Sequence, residues 1–380
     1  MSKDMMMGSD AVAFGVRLAK PDVMFAYPIT PQTHIIETLS EIADSWGAKF
    51  VNVESEFSAI ASCYGAVAAG SRAFTATSSH GLLLMHELLH WFVGGRMPLV
   101  LVNANRAVGS PWNIWADQSD SMAQRDTGWL QIYCETCQEA LDTIIQGYYI
   151  SEKVLLPVMV MIDGFILSHT MEEVEVHDQK KVDAFLPPYE AQFKLDIEDP
   201  SSFGNATTPD NYYRFRKAIQ QSFMNSFQIL KDCHNLFADI IGTRYDLIET
   251  YRCEDAEHIF LVGGALTGTT RTAVDMMRKK GTKVGLIKLR VFRPFPKDAL
   301  QKVLKKHQSL IVLNRAISFG AQGTLSQEVR SAFYNIVEGP DIYDVIISLG
   351  GKEVFPETLM EVTQQVKTNP KFKDEILWVR

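Results

Sequence analysis

Four short polar segments, each following an apolar run in the first half of this 380-residue chain, together carry a carboxylate, a hydroxyl and a guanidinium. Tyr27-Pro28-Ile29-Thr30-Pro31 leaves the first run, and Glu54-Ser55-Glu56 closes the second. Ser78-Ser79-His80-Gly81 follows the third and Asn103-Ala104-Asn105-Arg106 the fourth. If the runs are parallel strands, these segments share the crevice at the strands' carboxyl ends, where such sheets bind ligands. Arg106 can then clamp a carboxylate bidentately while Thr30 donates a hydrogen bond, which suits an anionic small molecule. Taken alone, Glu56 also reads as an acidic residue placed in a first helical turn by the macrodipole.

Other patterns offer competing chemistry. His86-Glu87-Leu88-Leu89-His90 is an HExxH run, with both imidazoles on one helical face and able to hold zinc for a hydrolase. Its extension fails, because Val93 and Arg96 stand where glycine and a third histidine are required, and the next acidic residue is Asp117. Cys134-Glu135-Thr136-Cys137 is a lone CxxC without a second pair at zinc or iron–sulfur spacing. Gly263-Gly264-Ala265-Leu266-Thr267-Gly268 follows an apolar run and opens a helix, so its amides could cradle phosphate. It fits neither dinucleotide nor P-loop patterns, since Thr269 takes the lysine's place, and a tight strand-to-helix turn explains it equally. A GxSxG elbow is absent, so a serine hydrolase has no starting point.

The elements that must position these residues alternate short apolar runs with helical stretches. Strands are predicted at 23–27, 50–53, 73–77, 99–102 and 154–162, with helices over 32–45, 56–69, 80–94 and 138–152. Runs apolar on both faces and separated by helices mark a covered parallel sheet, so residues 1–175 are expected to form a doubly wound α/β domain. Charged and Pro-rich sequence from Met171, then a helical stretch over 211–250, predicts a linker with a helical segment over 176–254. Strands at 258–262, 283–288, 310–313 and 343–348 make residues 255–380 a second, smaller α/β domain. Its segment Arg271 to Lys306 is locally basic, which suits solvated helix faces or the docking of an anionic partner.

Composition excludes several classes. The chain has 37 basic and 45 acidic residues, a formal charge of −8 that gives no general attraction to nucleic acid or anionic lipid. Its apolar runs fall short of a membrane span, and its start lacks the apolar stretch of a signal peptide. Five irregularly spaced cysteines do not make a disulfide framework, which points to a reducing, cytoplasmic location.

Together these segments resemble the alpha-type subunit of the 2-oxoacid:ferredoxin oxidoreductases, as in the multi-subunit pyruvate:ferredoxin oxidoreductases. The resemblance is carried by Ala26-Tyr27-Pro28-Ile29-Thr30-Pro31, by Glu54-Ser55-Glu56 running into Gly65-Ala66-Val67-Ala68-Ala69-Gly70, and by the segment from Thr75 to Met85. Asn105-Arg106-Ala107, Pro111-Trp112-Asn113-Ile114-Trp115, the segment from Gln124 to Trp129, Leu156-Pro157-Val158-Met159-Val160 and Ser168-His169-Thr170 extend it. It is dense over about residues 8 to 190, and Val284 to Arg290 with Phe292-Arg293-Pro294-Phe295-Pro296 is similar to a transketolase-type C-terminal domain. The HExxH helix follows the family's SSHGLLLM segment, which removes the zinc reading.

The resemblance implies the pyrimidine-binding half of a thiamine diphosphate site. Glu56 matches the glutamate that hydrogen-bonds the aminopyrimidine, where a carboxylate favours the imino tautomer that takes the thiazolium proton. Pro28, Ile29, Ser79 and His80 fall among the cofactor-binding positions, and Thr30 and Arg106 match residues that hold the substrate carboxylate. The implied reaction is CoA-dependent oxidative decarboxylation of a 2-oxoacid to acyl-CoA and carbon dioxide, with electrons passing through iron–sulfur clusters to ferredoxin or a similar acceptor. This chain lacks a GDG-type diphosphate motif and cluster cysteines. Magnesium and [4Fe-4S] clusters are therefore expected on a diphosphate-binding subunit, a gamma-type subunit and a ferredoxin-like subunit of one hetero-oligomer. Pyruvate is the first choice of substrate, with branched-chain or aryl 2-oxoacids such as phenylglyoxylate as alternatives; a zinc hydrolase using His86 and His90 and a non-catalytic assembly subunit are the rival readings. Asp117-Gln118-Ser119-Asp120 lacks the histidine that the family often shows at the second position, which is expected to reshape the pocket.

Overall fold

The computed structural model describes residues 2–379. In chain order the first part comprises β1 (Ser2–Met7), α1 (Gly8–Ala19), β2 (Val23–Ala26), α2 (Thr33–Ile42), β3 (Lys49–Asn52), α3 (Glu56–Ala68), β4 (Ala73–Thr77), α4 (Ser79–Leu84), α5 (His86–Gly94), β5 (Val100–Asn105), α6 (Ser119–Met122), β6 (Leu130–Tyr133), α7 (Cys137–Val154) and β7 (Val158–Asp163). The chain continues through β8 (Met171–Val176), α8 (Gln179–Phe185), α9 (Pro209–Ile240) and β9 (Ile248–Tyr251). It ends with β10 (His258–Val262), α10 (Leu266–Lys279), β11 (Val284–Leu289), β12 (Val291–Arg293), α11 (Lys297–Val303), β13 (Ser309–Asn314), α12 (Thr324–Phe333), β14 (Asp341–Ile346), α13 (Pro356–Thr368) and β15 (Ile376–Trp378).

Seven strands form the first sheet, in the order β12-β6-β7-β5-β4-β2-β3, parallel except for β12. The chain passes from β2 outward to β3 and returns to β4 on the opposite side of β2, a strand-order reversal that opens a crevice at the strands' carboxyl ends. The second sheet, β15-β14-β13-β10-β11-β9, is parallel except for β9. Alternation along its strands serves two cores: Ile259 and Leu261 face the first domain, whereas Phe260 and Val262 pack against the outer helices. The inner core is continuous with that of the first domain, and β12 joins the first sheet. The α/β class expected from the alternation of runs and helices is what forms.

Local chemistry explains the helix starts. Ser55 Oγ accepts the Ser58 amide at 3.2 Å and Thr136 Oγ1 that of Glu139 at 3.1 Å, so α3 and α7 begin at capped positions. Four expectations differ from the structure. The 80–94 helix is broken at Met85, and α7 runs on to Val154, which delays β7. Met171–Val176 belongs to an antiparallel ribbon with β1, clasped by Lys3–Glu173 at 2.6 Å. The stretch over 211–250 stops being helical after Ile240 and ends in β9. Among the described residues no helix is long and apolar enough to cross a membrane.

Candidate functional site

Thr30, Glu56, Ser79 and Arg106 each follow a strand of the first sheet, and the reversal between β2 and β4 sets them around one crevice. Glu56 is the first residue of α3, and the residue as a whole is mostly buried. Its Oε1 would lie 2.6 Å from a Cβ added to Gly81, and Thr77 Oγ1 only 2.4 Å away, so glycine is required for the carboxylate to sit there. Among the described residues the Glu56 carboxylate accepts no hydrogen bond. A carboxylate that faces the crevice without a protein donor is open to a ligand N–H.

Arg106 is held from three directions. Its amide donates to Asp120 Oδ2 at 3.1 Å, its Nη1 donates to the Thr30 carbonyl at 2.6 Å, and its Nη2 lies 3.2 Å from His80 Nδ1. The Gly109 amide lies 3.1 Å from His80 Nε2 and Ser79 Oγ 3.4 Å from Nδ1, and a neutral ring accepts at one nitrogen only, from Gly109 or from Arg106. Nη2 carries two N–H groups, so one stays available for a carboxylate whichever tautomer His80 adopts. Arg106 Nε is likewise buried without a partner, and burial lowers the guanidinium pKa against the pull of Asp120 and Glu56. The Thr30 hydroxyl stands at the exposed mouth, beside Pro28 and half-buried Ile29. Ser79 adopts φ 49° and donates its hydroxyl to the Ala107 carbonyl at 2.6 Å, tying the strand-end loops together.

Asp120 was not singled out in the sequence, yet it organises the crevice. Fully buried, its Oδ2 accepts the Ser79 amide at 3.0 Å, Asn103 Nδ2 at 2.9 Å and the Arg106 amide, while Oδ1 accepts from Ser121 at 2.7 Å. Burial pushes its carboxyl up from 3.8 to about 7 despite these donors. The folded protein therefore holds this proton up to about pH 7, while the unfolded chain releases it near 3.8, and stability falls as pH rises between them. Asp120→Asn is expected to remove this slope at a fixed, pH-independent cost from its lost Ser121 contact. Relative to wild type, the variant gains up to roughly 3–4 kcal/mol between pH 4 and pH 8. Urea midpoints at the two pH values check it, and parallel wild-type and variant slopes would contradict the assignment.

The competing motifs resolve otherwise. His86 Nδ1 pairs with Gln124 Oε1 at 2.5 Å and its ring packs edge-on against His90 at 5.0 Å. Among the described residues no group of three histidine, cysteine or acidic side chains could hold a metal. Cys134 and Cys137 are free and buried, and burial pushes the Cys134 thiol up to about 12. The Gly263-Gly264 turn is already filled, by protein: the Ala265 amide donates to Asp163 Oδ2 at 2.6 Å. Gly264, at φ 78°, would carry a Cβ 2.7 Å from that same oxygen. Gln118, which stands where the family often shows a histidine, donates its Nε2 to the Gly263 carbonyl at 3.2 Å in the second domain. Within the basic segment Arg271, Arg278, Lys288, Arg290 and Arg293 are spent on acids of this chain.

Comparison with known proteins follows the same division. Residues 14–234 match the family described as pyruvate flavodoxin/ferredoxin oxidoreductase, thiamine diphosphate-binding, and residues 256–359 match pyruvate:ferredoxin oxidoreductase core domain II. The chain is 42% identical over 383 residues to ketoisovalerate oxidoreductase subunit VorA of Pyrococcus horikoshii, covering 99% of this chain and 97% of the relative. Identity is also 42% over 375 residues to pyruvate synthase subunit PorA of Methanothermobacter thermautotrophicus, covering 98% and 96%. Among solved structures, 2-oxoglutarate:ferredoxin oxidoreductase from Magnetococcus marinus, with 2-oxoglutarate, coenzyme A and succinyl-CoA bound, superposes with a TM-score of 0.74 at 22% identity. That match covers 96% of this chain and 65% of the longer one, and at such identity it speaks for the fold.

Proposed function

Because the chain belongs to the pyruvate flavodoxin/ferredoxin oxidoreductase family, we propose that the crevice around Glu56 and Arg106 is its half of a thiamine diphosphate and 2-oxoacid site. The chain is the alpha-type subunit of a CoA-dependent 2-oxoacid:ferredoxin oxidoreductase. The observation that carries the site reading is the donor-free Glu56 carboxylate set over Gly81. Thiamine diphosphate, when bound, supplies the carbon nucleophile and the electron sink for decarboxylation. Glu56 binds its pyrimidine ring and exchanges a proton at the ring nitrogen, with Pro28, Ile29, Ser79 and His80 forming the surrounding wall. Arg106 Nη2 and the Thr30 hydroxyl hold the 2-oxoacid carboxylate and so orient its carbonyl.

The substrate is a monocarboxylic 2-oxoacid, the class that includes pyruvate and ketoisovalerate. Trp115, Phe165 and His169 follow one another with tilted rings at 4.7 and 4.9 Å, next to Gly164, which packs closely on Pro31, and among the described residues no lysine or arginine joins this aromatic run to meet a second carboxylate. The diphosphate, its magnesium ion and the iron–sulfur clusters belong to partner subunits. A surface next to Glu56 suits such a partner: α3 is apolar almost all round, and Phe57, Leu84 and Trp91 are exposed near it. Five free, buried thiols fit a cytoplasmic complex.

Anaerobic purification through a tag on this chain tests the reading. A second chain carrying a GDG-type motif, with thiamine diphosphate and iron, is expected to arrive with it. A lone chain that decarboxylates 2-oxoacids by itself would overturn the split site.

A further inference from the structure

The second sheet is mostly parallel, and the carboxyl ends of such strands ordinarily form a ligand crevice. Here that edge is filled by the first domain. At the end of β10, the Gly263 carbonyl accepts from Gln118 Nε2 and the Ala265 amide donates to Asp163. At the end of β13, Arg315 lies almost fully buried, with Nη1 2.7 Å from Asp163 Oδ1 and Nη2 donating to the Ala116 carbonyl at 3.2 Å. The Arg315 carbonyl accepts the Gln118 amide at 2.8 Å. Beyond β14, the Gly350 amide donates to Asp117 Oδ2 at 3.2 Å and its carbonyl accepts from Asn113 Nδ2 at 3.0 Å.

The segment so gripped is 113–118, the far limb of the loop that begins at Arg106. The two limbs are joined, because the Ala107 amide donates to the Trp115 carbonyl at 3.0 Å. Asp163 adds a second route, since it ends β7 and the following Gly164 amide donates to the Asn105 carbonyl at 3.0 Å, one residue before Arg106. Arg315 thus touches both routes at once, and its planar fork is what allows one side chain to do so.

We propose that Arg315 is a positioning residue for the 2-oxoacid, and that the second domain uses its strand ends to seat the Arg106 loop in place of a ligand. The inference rests on the reading of Arg106 as the carboxylate clamp. Arg315 touches the Arg106 loop and the end of β7, with no contact to Glu56, so its effect falls on the 2-oxoacid and spares the cofactor.

The test compares Arg315→Lys, Asn113→Ala and Arg106→Ala in the assembled enzyme, reading KM for pyruvate and ketoisovalerate, kcat, thiamine diphosphate affinity and the thermal midpoint. Lysine keeps the charge but cannot span Asp163 and the Ala116 carbonyl together. Arg315→Lys is expected to raise KM at least tenfold with kcat within threefold and cofactor affinity unchanged, a loss of ground-state positioning. Asn113→Ala, which loses the Gly350 contact and the acceptor for the Trp115 amide at 2.7 Å and leaves the core alone, is expected to raise KM about threefold, and it decides the matter if Arg315→Lys does not fold. A lower thermal midpoint with KM unchanged in both variants, while Arg106→Ala raises KM, overturns the positioning role alone. Unchanged KM in Arg106→Ala overturns the clamp and the positioning role together.

Discussion

Glu56→Gln in the assembled enzyme is expected to lower kcat about a hundredfold, ~2.7 kcal/mol of barrier, with KM for the 2-oxoacid changed little. Glutamine has the same shape and fits over Gly81, so the packing that fixes α3 survives. It also leaves the Ser55 cap untouched. What is lost is the ability to hold and return a proton, a contribution that commonly reaches two to four orders of magnitude. Arg106 is a guanidinium that does not give up its proton, and His80 is tied to the Arg106 loop, so neither side chain can replace the carboxylate. The thermal midpoint should stay within a few degrees of wild type. Turnover within threefold of wild type would remove Glu56 from the chemistry and favour an assembly subunit.

The strand-end residues were legible because each directly follows an apolar run, and a parallel sheet brings such positions to one edge. Glu56, Thr30 and Arg106 could be nominated on that ground, and the structure sets Arg106 against Thr30 through the carbonyl of Thr30. Asp120 was less visible. It lies on a four-residue helix inside a long loop, where periodicity gives no clue that a carboxylate will be buried under four N–H donors. Gln118 lies in the same loop, and only the folded chain shows that its side chain is taken by the second domain. The same long-range contact explains the Gly263-Gly264 turn, whose amides suit an anion and meet one, the carboxylate of Asp163 from 102 residues away. β6 escaped prediction because Gln131 interrupts its apolar pattern; its Nε2 is satisfied by the Ser121 carbonyl, a partner that sequence spacing does not reveal.

Glu139→Ala is expected to destabilise the chain by about 3–5 kcal/mol, the largest single loss of stability among the residues described. Glu139 lies in the first turn of α7 and is nearly fully buried, yet it meets two cations, Lys288 on β11 at 2.7 Å and Arg290 just after β11 at 2.8 Å. Arg290 spends its remaining donors inside the same pocket, on Thr143 Oγ1 at 2.9 Å, Gln146 Oε1 at 3.1 Å and His234 Nε2 at 3.0 Å. Because Arg290 donates to it, His234 must stay neutral, and burial next to that guanidinium lowers its pKa to about 3. Removing Glu139 leaves Lys288 with Glu135 and, at 3.9 Å, Glu249, but both are also shared with Arg271, and Arg290 is left buried without a carboxylate. The cost is that of uncovering a buried charge, since an apolar substitute for a whole network can be neutral. Glu139→Leu combined with Arg290→Met should therefore recover much of the loss. Urea unfolding of the two single variants and the double variant separates the cases: additive losses would mean that the two residues do not share one network.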